Sequence, residues 1–343
     1  MQYSNWGLLF AFAFSSWHHG FAQSYKIGTI DIFGNRKISS CNVLAHLRVK
    51  EADSITHENY NPEDEAAKLE QMPGVKHATV SPVCCDTAGN LMLFIGIAET
   101  DSFILNHRDA PVQNILLPEE MITAYRNLND QMELAIKSGL AVEDDSHGYA
   151  LLGYKPARNE QKKFITFANR DFTLLANVLK NSRDVEHRAA ATQIIAYSTN
   201  RKKVVDNLIY SSNDPDEAVR NNANRGLGVL ADYLNRHPEL KISIPAGPFI
   251  KMLNSIVWTD RNKAAMVLIK LSQGRDSKLL HKIKEQALAS MIEMAGWKDR
   301  GHAFFSFVIL GRIAGVNEKS LVTKNYSAHW AAEIEAMVAK CHH

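Results

Sequence analysis

Asp184-Val-Glu-His-Arg-Ala-Ala-Ala191 and Asn213-Asp-Pro-Asp-Glu-Ala-Val-Arg-Asn-Asn-Ala223 spell one pattern twice. In the first, Arg188 is followed by Ala191 at +3, Ile195 at +7 and Ser198 at +10; in the second, Arg220 is followed by Ala223, Leu227 and Leu230. Reading outward, Arg261 leads to Ala264, Leu268 and Leu271, and Arg300 to Ala303, Phe307 and Leu310. The four starts lie 32, 41 and 39 residues apart (188 to 220, 261 and 300), a period that fits stacked helical pairs.

An apolar helix precedes each copy: Leu175, Val178 and Leu179 before Arg188; Val204, Val205 and Leu208 before Arg220; Ile250, Leu253 and Ile256 before Arg261; Leu279, Ile283 and Leu288 before Arg300. Each unit therefore reads as helix, turn, Arg-led second helix. The small residue at +3 admits a neighbouring helix, and +7 and +10 fill the seam. The arginine can satisfy carbonyls or an Asp of the adjacent turn. Arg188, Arg220, Arg261 and Arg300, with Ala191, Ala223, Ala264 and Ala303, are thus read as structural repeat positions. The last helix, 328–340, is expected to cap the stack.

The words around Arg188 and Arg220 resemble HEAT repeats, so an all-α HEAT-like solenoid is expected over 171–343. The resemblance also raises metal-dependent enzymes built on such repeats, which present His-Glu pairs on successive copies. Here the sole His-Glu pair is His57-Glu58, outside the repeats, and Glu186-His187 is reversed. No Gly-rich phosphate loop, zinc cysteine spacing or nucleophile elbow is present. The expectation is no catalytic residue, no metal and no cofactor.

The first hundred residues read differently. Lys26-Ile-Gly-Thr-Ile-Asp-Ile-Phe33 alternates apolar residues as a strand does, before Gly34-Asn35. Ser39 or Ser40 can cap a helix carrying Val43, Leu44 and Leu47, and Pro62 suits the first turn of a second helix that Met72-Pro73-Gly74 stops. Two strands follow, 75–84 and 91–97, joined by the turn Asp86-Thr-Ala-Gly-Asn90, with Leu91, Leu93, Ile95 and Ile97 on one face. This β-α-α-β-β order, with Ile30-x-Ile32-x-Gly34-Asn35, Leu69-x-x-Met72-Pro73-Gly74-Val75 and Ile97-Ala98-Glu99, resembles a POTRA domain. The resemblance implies an envelope binding module that accepts a client strand along a sheet edge. That edge is expected at 75–83, with His77, Thr79 and Ser81 as partner-binding candidates. No barrel-like run of strands follows, so a transport role is not carried over.

Residues 1–22 read as a signal peptide. Trp6 to Phe14 is an apolar run too short to span a bilayer, and Gly20 and Ala22 form a cleavage pattern, although no Lys or Arg precedes the run. Export to the periplasm or cell envelope is the expected localisation, with no membrane insertion after cleavage. The four cysteines, Cys41, Cys84, Cys85 and Cys341, are too few for a disulfide scaffold. A pair between Cys41 and either Cys84 or Cys85 is expected, because adjacent cysteines across a trans peptide sit too close. With 39 Lys+Arg against 37 Asp+Glu, the net charge of +2 offers no field for nucleic acid.

Residues 101–170 read as a linker and helical junction, with an amphipathic helix over about 118–137 and another from Pro156 to about Asn169. The loop Glu143-Asp-Asp-Ser-His-Gly148 between them matches no metal loop and reads as a solvated connection. The domain reading is thus 1–22 signal peptide, 23–100 POTRA-like, 101–170 junction and 171–343 repeat. Functionally it implies a non-catalytic adaptor with protein partners, the alternatives being part of an envelope assembly or secretion machine, or a HEAT-type metal enzyme.

Overall fold

The computed structural model of the chain describes residues 12–13, 24–56, 58–324 and 327–341. The expected signal peptide therefore lies outside the described residues, apart from Phe12 and Ala13. The protein is mainly helical, with a small α+β module of β-α-α-β-β order followed by helical repeats.

In chain order the module consists of β1 (Phe12–Ala13), β2 (Tyr25–Phe33), α1 (Ser40–His46), β3 (Ser54–Ile55), α2 (Pro62–Leu69), β4 (Val75–Cys84) and β5 (Leu91–Glu99). Then follow α3 (Glu119–Lys137), β6 (Glu143–Asp144), β7 (Leu151–Leu152) and α4 (Lys155–Arg170). The repeat pairs are α5 (Phe172–Asn181) with α6 (Val185–Ile195), α7 (Arg201–Ser211) with α8 (Glu217–Arg236), α9 (Gly247–Met252) with α10 (Trp258–Leu271), and α11 (Ser277–Ala295) with α12 (Arg300–Ile313). The chain ends in α13 (Glu318–Lys324) and α14 (Trp330–Cys341).

Two compact units divide these elements: His107–Pro245, and the residues through Asn106 together with Ala246–His343. This cuts across the boundaries read from sequence. The expected junction is itself a helix pair, α3 against α4, stacked on α6. The repeats are shared, two pairs to each unit.

In the unit formed by both ends of the chain, local chemistry sets the module. Ser39 caps α1 through the Asn42 amide, and Asn61 caps α2 with Pro62 in its first turn. Gly74, at φ +88°, makes the helix-to-strand reversal. The sheet order is β1-β4-β5-β2-β3, with β5 antiparallel to β4 and parallel to β2. Leu93, Ile95 and Ile97 of β5 pack with Val43 and Leu69 under α1 and α2.

β5 is buried at every one of its nine positions, because the other sheet face is covered too. Phe94 lies 5.0 Å from both Trp258 of α10 and Trp297, and Phe33 lies 5.9 Å from Trp297. A Cβ at Gly96 would fall 1.9 Å from the Ile256 carbonyl oxygen, so this close approach requires glycine. Asp31 closes the same face by accepting the Lys298 amide at 3.2 Å, and its burial raises its pKa to about 6. His302 sits edge-on to Phe94 and Trp258, and burial lowers its pKa to about 4.

At the end of the chain, Trp330 of α14 stacks on Phe307 at 3.8 Å, and its indole N–H donates to the Ala295 carbonyl. α13 and α14 pack on α12.

Candidate functional site

The repeat arginines divide three to one. Arg188 is buried and binds both carboxylate oxygens of Asp214, at 3.0 and 3.1 Å, together with the Ser182 carbonyl. Arg220, also buried, donates to the carbonyls of Asp214 and Pro215. Buried Arg261 donates to the Ser255 carbonyl and to Glu293 at 2.8 Å. Arg300 differs from its expected seam role: it is exposed, donates to the Ser327 carbonyl and lies over the Trp330 ring. Its partners come from beyond the fourth repeat pair, the Ser327 carbonyl between α13 and α14 and the Trp330 ring of α14. Ala191, Ala223, Ala264 and Ala303 are all fully buried.

The sheet edge expected to receive a partner is blunted along its length. The outward Ala78 N–H donates to Glu70, Pro82 has no N–H, and Val83 and Cys84 pair with β1. His77 stands 3.4 Å from Glu70. Thr79 turns inward and donates its hydroxyl to the Ile256 carbonyl. Ser81 is half-buried.

The expected Cys41 pairing is also corrected. Cys84 and Cys85 are bonded to each other across a cis peptide, with Cα atoms 3.0 Å apart, and Cys41 is a free, exposed thiol. α1 buries Val43, and Cys41, two residues earlier, falls on the solvent side.

A site that the sequence reading passed over lies in the other unit, on the second helices α6 and α8. There the hairpin of β6 and β7 crosses side chains that differ between repeat copies. Its C-terminal half is rooted in the core: Leu152 is fully buried, and its amide donates to Gln161 at 2.7 Å. Gln161 donates at 3.0 Å to the Tyr197 hydroxyl, which in turn donates at 3.0 Å to the Ala150 carbonyl. Burial raises the pKa of Tyr197, so it stays a neutral donor. Tyr149 stacks on Tyr197 at 5.2 Å, and Arg201 lies 5.2 Å over Tyr149 and 5.4 Å over Tyr233.

The N-terminal half, the supposedly solvated acidic loop, is held by arginines. Glu143 pairs with Arg225, Asp145 with Arg236 at 3.1 Å, and Asp144 with Arg158 at 3.6 Å; the His147 carbonyl accepts from Arg201. The Ser146 hydroxyl and amide hold the Asp144 carboxyl below its usual pKa. Beneath the strap lies a cavity of about 20 Å³, room for one water, lined by Tyr149, Gln193, Tyr197, Asn222 and Arg225. The Gln193 carbonyl oxygen is buried there without a hydrogen-bond partner. The sequence contains the acidic run and the later arginines, but about 80 residues separate Glu143 from Arg225, and no local pattern joins them.

Among the described residues, no three His, Cys, Asp or Glu side chains gather where they could hold a metal ion. No helix among them is long and apolar enough to cross a membrane.

The geometry defines a helical-repeat protein whose own chain covers part of its second-helix face. No known family profile matches the chain, and no curated protein matches it. Solved structures similar to it include designed armadillo repeat proteins. YIII(Dq)4CqI has a TM-score of 0.36 at 14% identity, covering 55% of this chain and 94% of its own. YIII(Dq.V1)4CPAF, in complex with the peptide (KR)4, has a TM-score of 0.37 at 14% identity, covering 65% and 100%. A computationally designed protein for modular peptide recognition has 0.38 at 15% identity, covering 64% and 99%. With TM-scores this low, the repeat architecture rests on the chain's own helix pairs.

Proposed function

We propose that the chain is a non-catalytic protein-interaction scaffold, exported to the bacterial cell envelope, that joins a POTRA-like module to helical repeats. The observation that carries this reading is the division of labour between conserved and variable repeat positions within this one chain. The recurring Arg188, Arg220 and Arg261 are engaged inside seams, whereas Gln193, Asn222 and Arg225, which do not recur, share the strapped face. Side chains that vary between copies are free to specify a partner.

The blunted edge of β4 bears on the POTRA-like part. Removal of residues 1–22 would take β1 away and open the edge at Val83 and Cys84, leaving Glu70 and Pro82 as the remaining blocks to strand addition.

The test is fractionation of cells making the full chain with a C-terminal tag, N-terminal sequencing, and cross-linking in the envelope. A mature end at Gln23 and a reciprocal cross-link to one protein, lost when Arg225 and Arg236 are both changed to Glu, are expected. An intact leader in a cytoplasmic fraction would overturn export. Stoichiometric iron or zinc in the purified protein would overturn the non-catalytic reading.

A further inference from the structure

We infer that the face where Arg225 and Arg236 of α8 meet Arg201 of α7 is a binding surface for an acidic peptide segment that forms a turn, and that residues 140–148 of the chain occupy it as an internal ligand. The inference rests on the scaffold reading and names the chemistry of the partner.

Charge complementarity defines the occupant. Arg225, Arg236 and Arg201 meet, in order, the Glu143 carboxylate, the Asp145 carboxylate and the His147 carbonyl, and the Gly148 amide closes these residues into a turn by donating to the Asp145 carbonyl at 3.0 Å. This is how a group of guanidiniums reads an acidic turn: forks take carboxylates, and spare donors take carbonyls. A second observation is independent of charge. Gln193 is 7% exposed, and its carbonyl oxygen lies without a partner beside the cavity under the strap. A buried amide acceptor left open on a face crossed by another stretch of chain can take a main-chain N–H that the present occupant does not supply.

The strap is also built to come away in part. Gly139 at φ +68° and Gly148 at φ +74° bracket the acidic stretch. A Cβ at Gly148 would lie 2.9 Å from the Tyr233 ring, so the second bracket must be glycine. Inside the brackets Leu140 and Val142 are exposed, and the main chain is tied chiefly by the two-residue ladder of Glu143 and Asp144 with Leu152 and Leu151. Beyond Gly148, Ala150, Leu151 and Leu152 are anchored in the core. The acidic half can lift while the anchored half stays.

An internal ligand lowers the apparent affinity for an external one by the fraction of molecules that are open. The probe is a fluorescein-labelled peptide copying residues 141–148, Ala-Val-Glu-Asp-Asp-Ser-His-Gly, titrated with the full chain and read by anisotropy. In the variant Glu143→Gln/Asp145→Asn the strap is released, and the peptide should bind about ten-fold more tightly than to the wild type. Adding Arg236→Glu should return affinity to the wild-type level or below. A control peptide with Gln and Asn in place of Glu and Asp should not bind.

Because Glu143 is buried with Arg225, the double variant is checked by circular dichroism. If it is unfolded, Asp145→Asn alone, at a half-exposed pair, carries the same comparison. Equal affinity of wild type and released protein overturns the inference, as does binding that survives Arg236→Glu or is matched by the neutral peptide. Such a result, with the envelope cross-link retained, would leave the scaffold reading standing and remove only the acidic-peptide assignment.

Discussion

Phe94 of β5 stacks on Trp258 of α10 with ring centroids 5.0 Å apart and planes inclined by 28°. Through this contact a strand near the start of the chain and a repeat helix more than 150 residues later share one core. Phe94 is fully buried, and Trp297 and His302 complete its shell. Phe94→Ala should cost about 3 to 5 kcal/mol, the range for an aromatic removed from a packed core. Urea unfolding followed by circular dichroism checks it, and a cost under about 1 kcal/mol would show that the sheet and helices do not share this core.

Arg188 and Arg300 occupy the same place in the repeat spelling but not in the structure. Arg188 is bound bidentately by buried Asp214, which also takes Arg108 and the Asp216 amide. Arg188→Ala leaves a carboxylate in the interior with fewer partners, for a cost of about 3 to 5 kcal/mol. Arg300 is exposed over Trp330, so Arg300→Ala should cost no more than about 1 kcal/mol. The two variants melted side by side give the comparison; equal losses would mean that one seam role is repeated in all four copies.

Asp31 and His302 make opposite demands on pH. Burial raises Asp31 from 3.8 to about 6, so the fold favours its protonated form. The stability it contributes is full below about pH 4 and is lost as pH rises through 6. Burial lowers His302 from 6.5 to about 4, with Asp299 opposing and Lys263 adding to the shift, so the stability of its neutral form is present above 6.5 and is lost as pH falls toward 4. Between these limits the two trends oppose each other. Asp31→Asn removes one of them: the variant should gain about 2 to 3 kcal/mol over wild type at pH 8 and match it near pH 4. Its stability should then fall steadily as pH drops from 6.5 to 4, where wild type stays nearly level. Urea midpoints measured across this range test both halves; parallel profiles for the two proteins would refute the assignment to Asp31.

The repeat helices were legible because their signal is local. An arginine, a small residue three positions on and apolar residues at +7 and +10 lie within three turns, so spelling and structure coincide at Arg188, Arg220 and Arg261. Capping residues are local too, as Ser39 shows. What escaped was tertiary. The alternation in β5 identifies the face of Leu93, Ile95 and Ile97, but Met92, Phe94 and Ala98 between them already made the strand apolar on both faces. That unbroken run is the mark of a sheet covered on two sides, and it could have been read so. The strap offered less. Glu143 to Gly148 has the composition of an exposed loop, and only folding brings it to Arg225 and Arg236. Arg300 carries the repeat spelling although its partners, Ser327 and Trp330, lie outside the repeat pairs.

Tyr197 is the hinge pin of that strap. Its hydroxyl accepts from Gln161 and donates to the Ala150 carbonyl, while Gln161 accepts the Leu152 amide. Tyr197→Phe keeps the ring stack with Tyr149 and removes one oxygen, leaving a buried amide N–H and the Ala150 carbonyl without this partner. Unpaired buried groups of this kind cost about 1 to 3 kcal/mol. The loss should be local before it is global, because the helix pairs beneath do not depend on that hydroxyl. Hydrogen exchange should therefore speed up at Leu151 and Leu152 while the amides of α6 and α8 remain protected. Unchanged protection at Leu152 would mean that apolar burial alone holds the hairpin, and that the Gln161 and Tyr197 relay contributes nothing to fixing its rooted half.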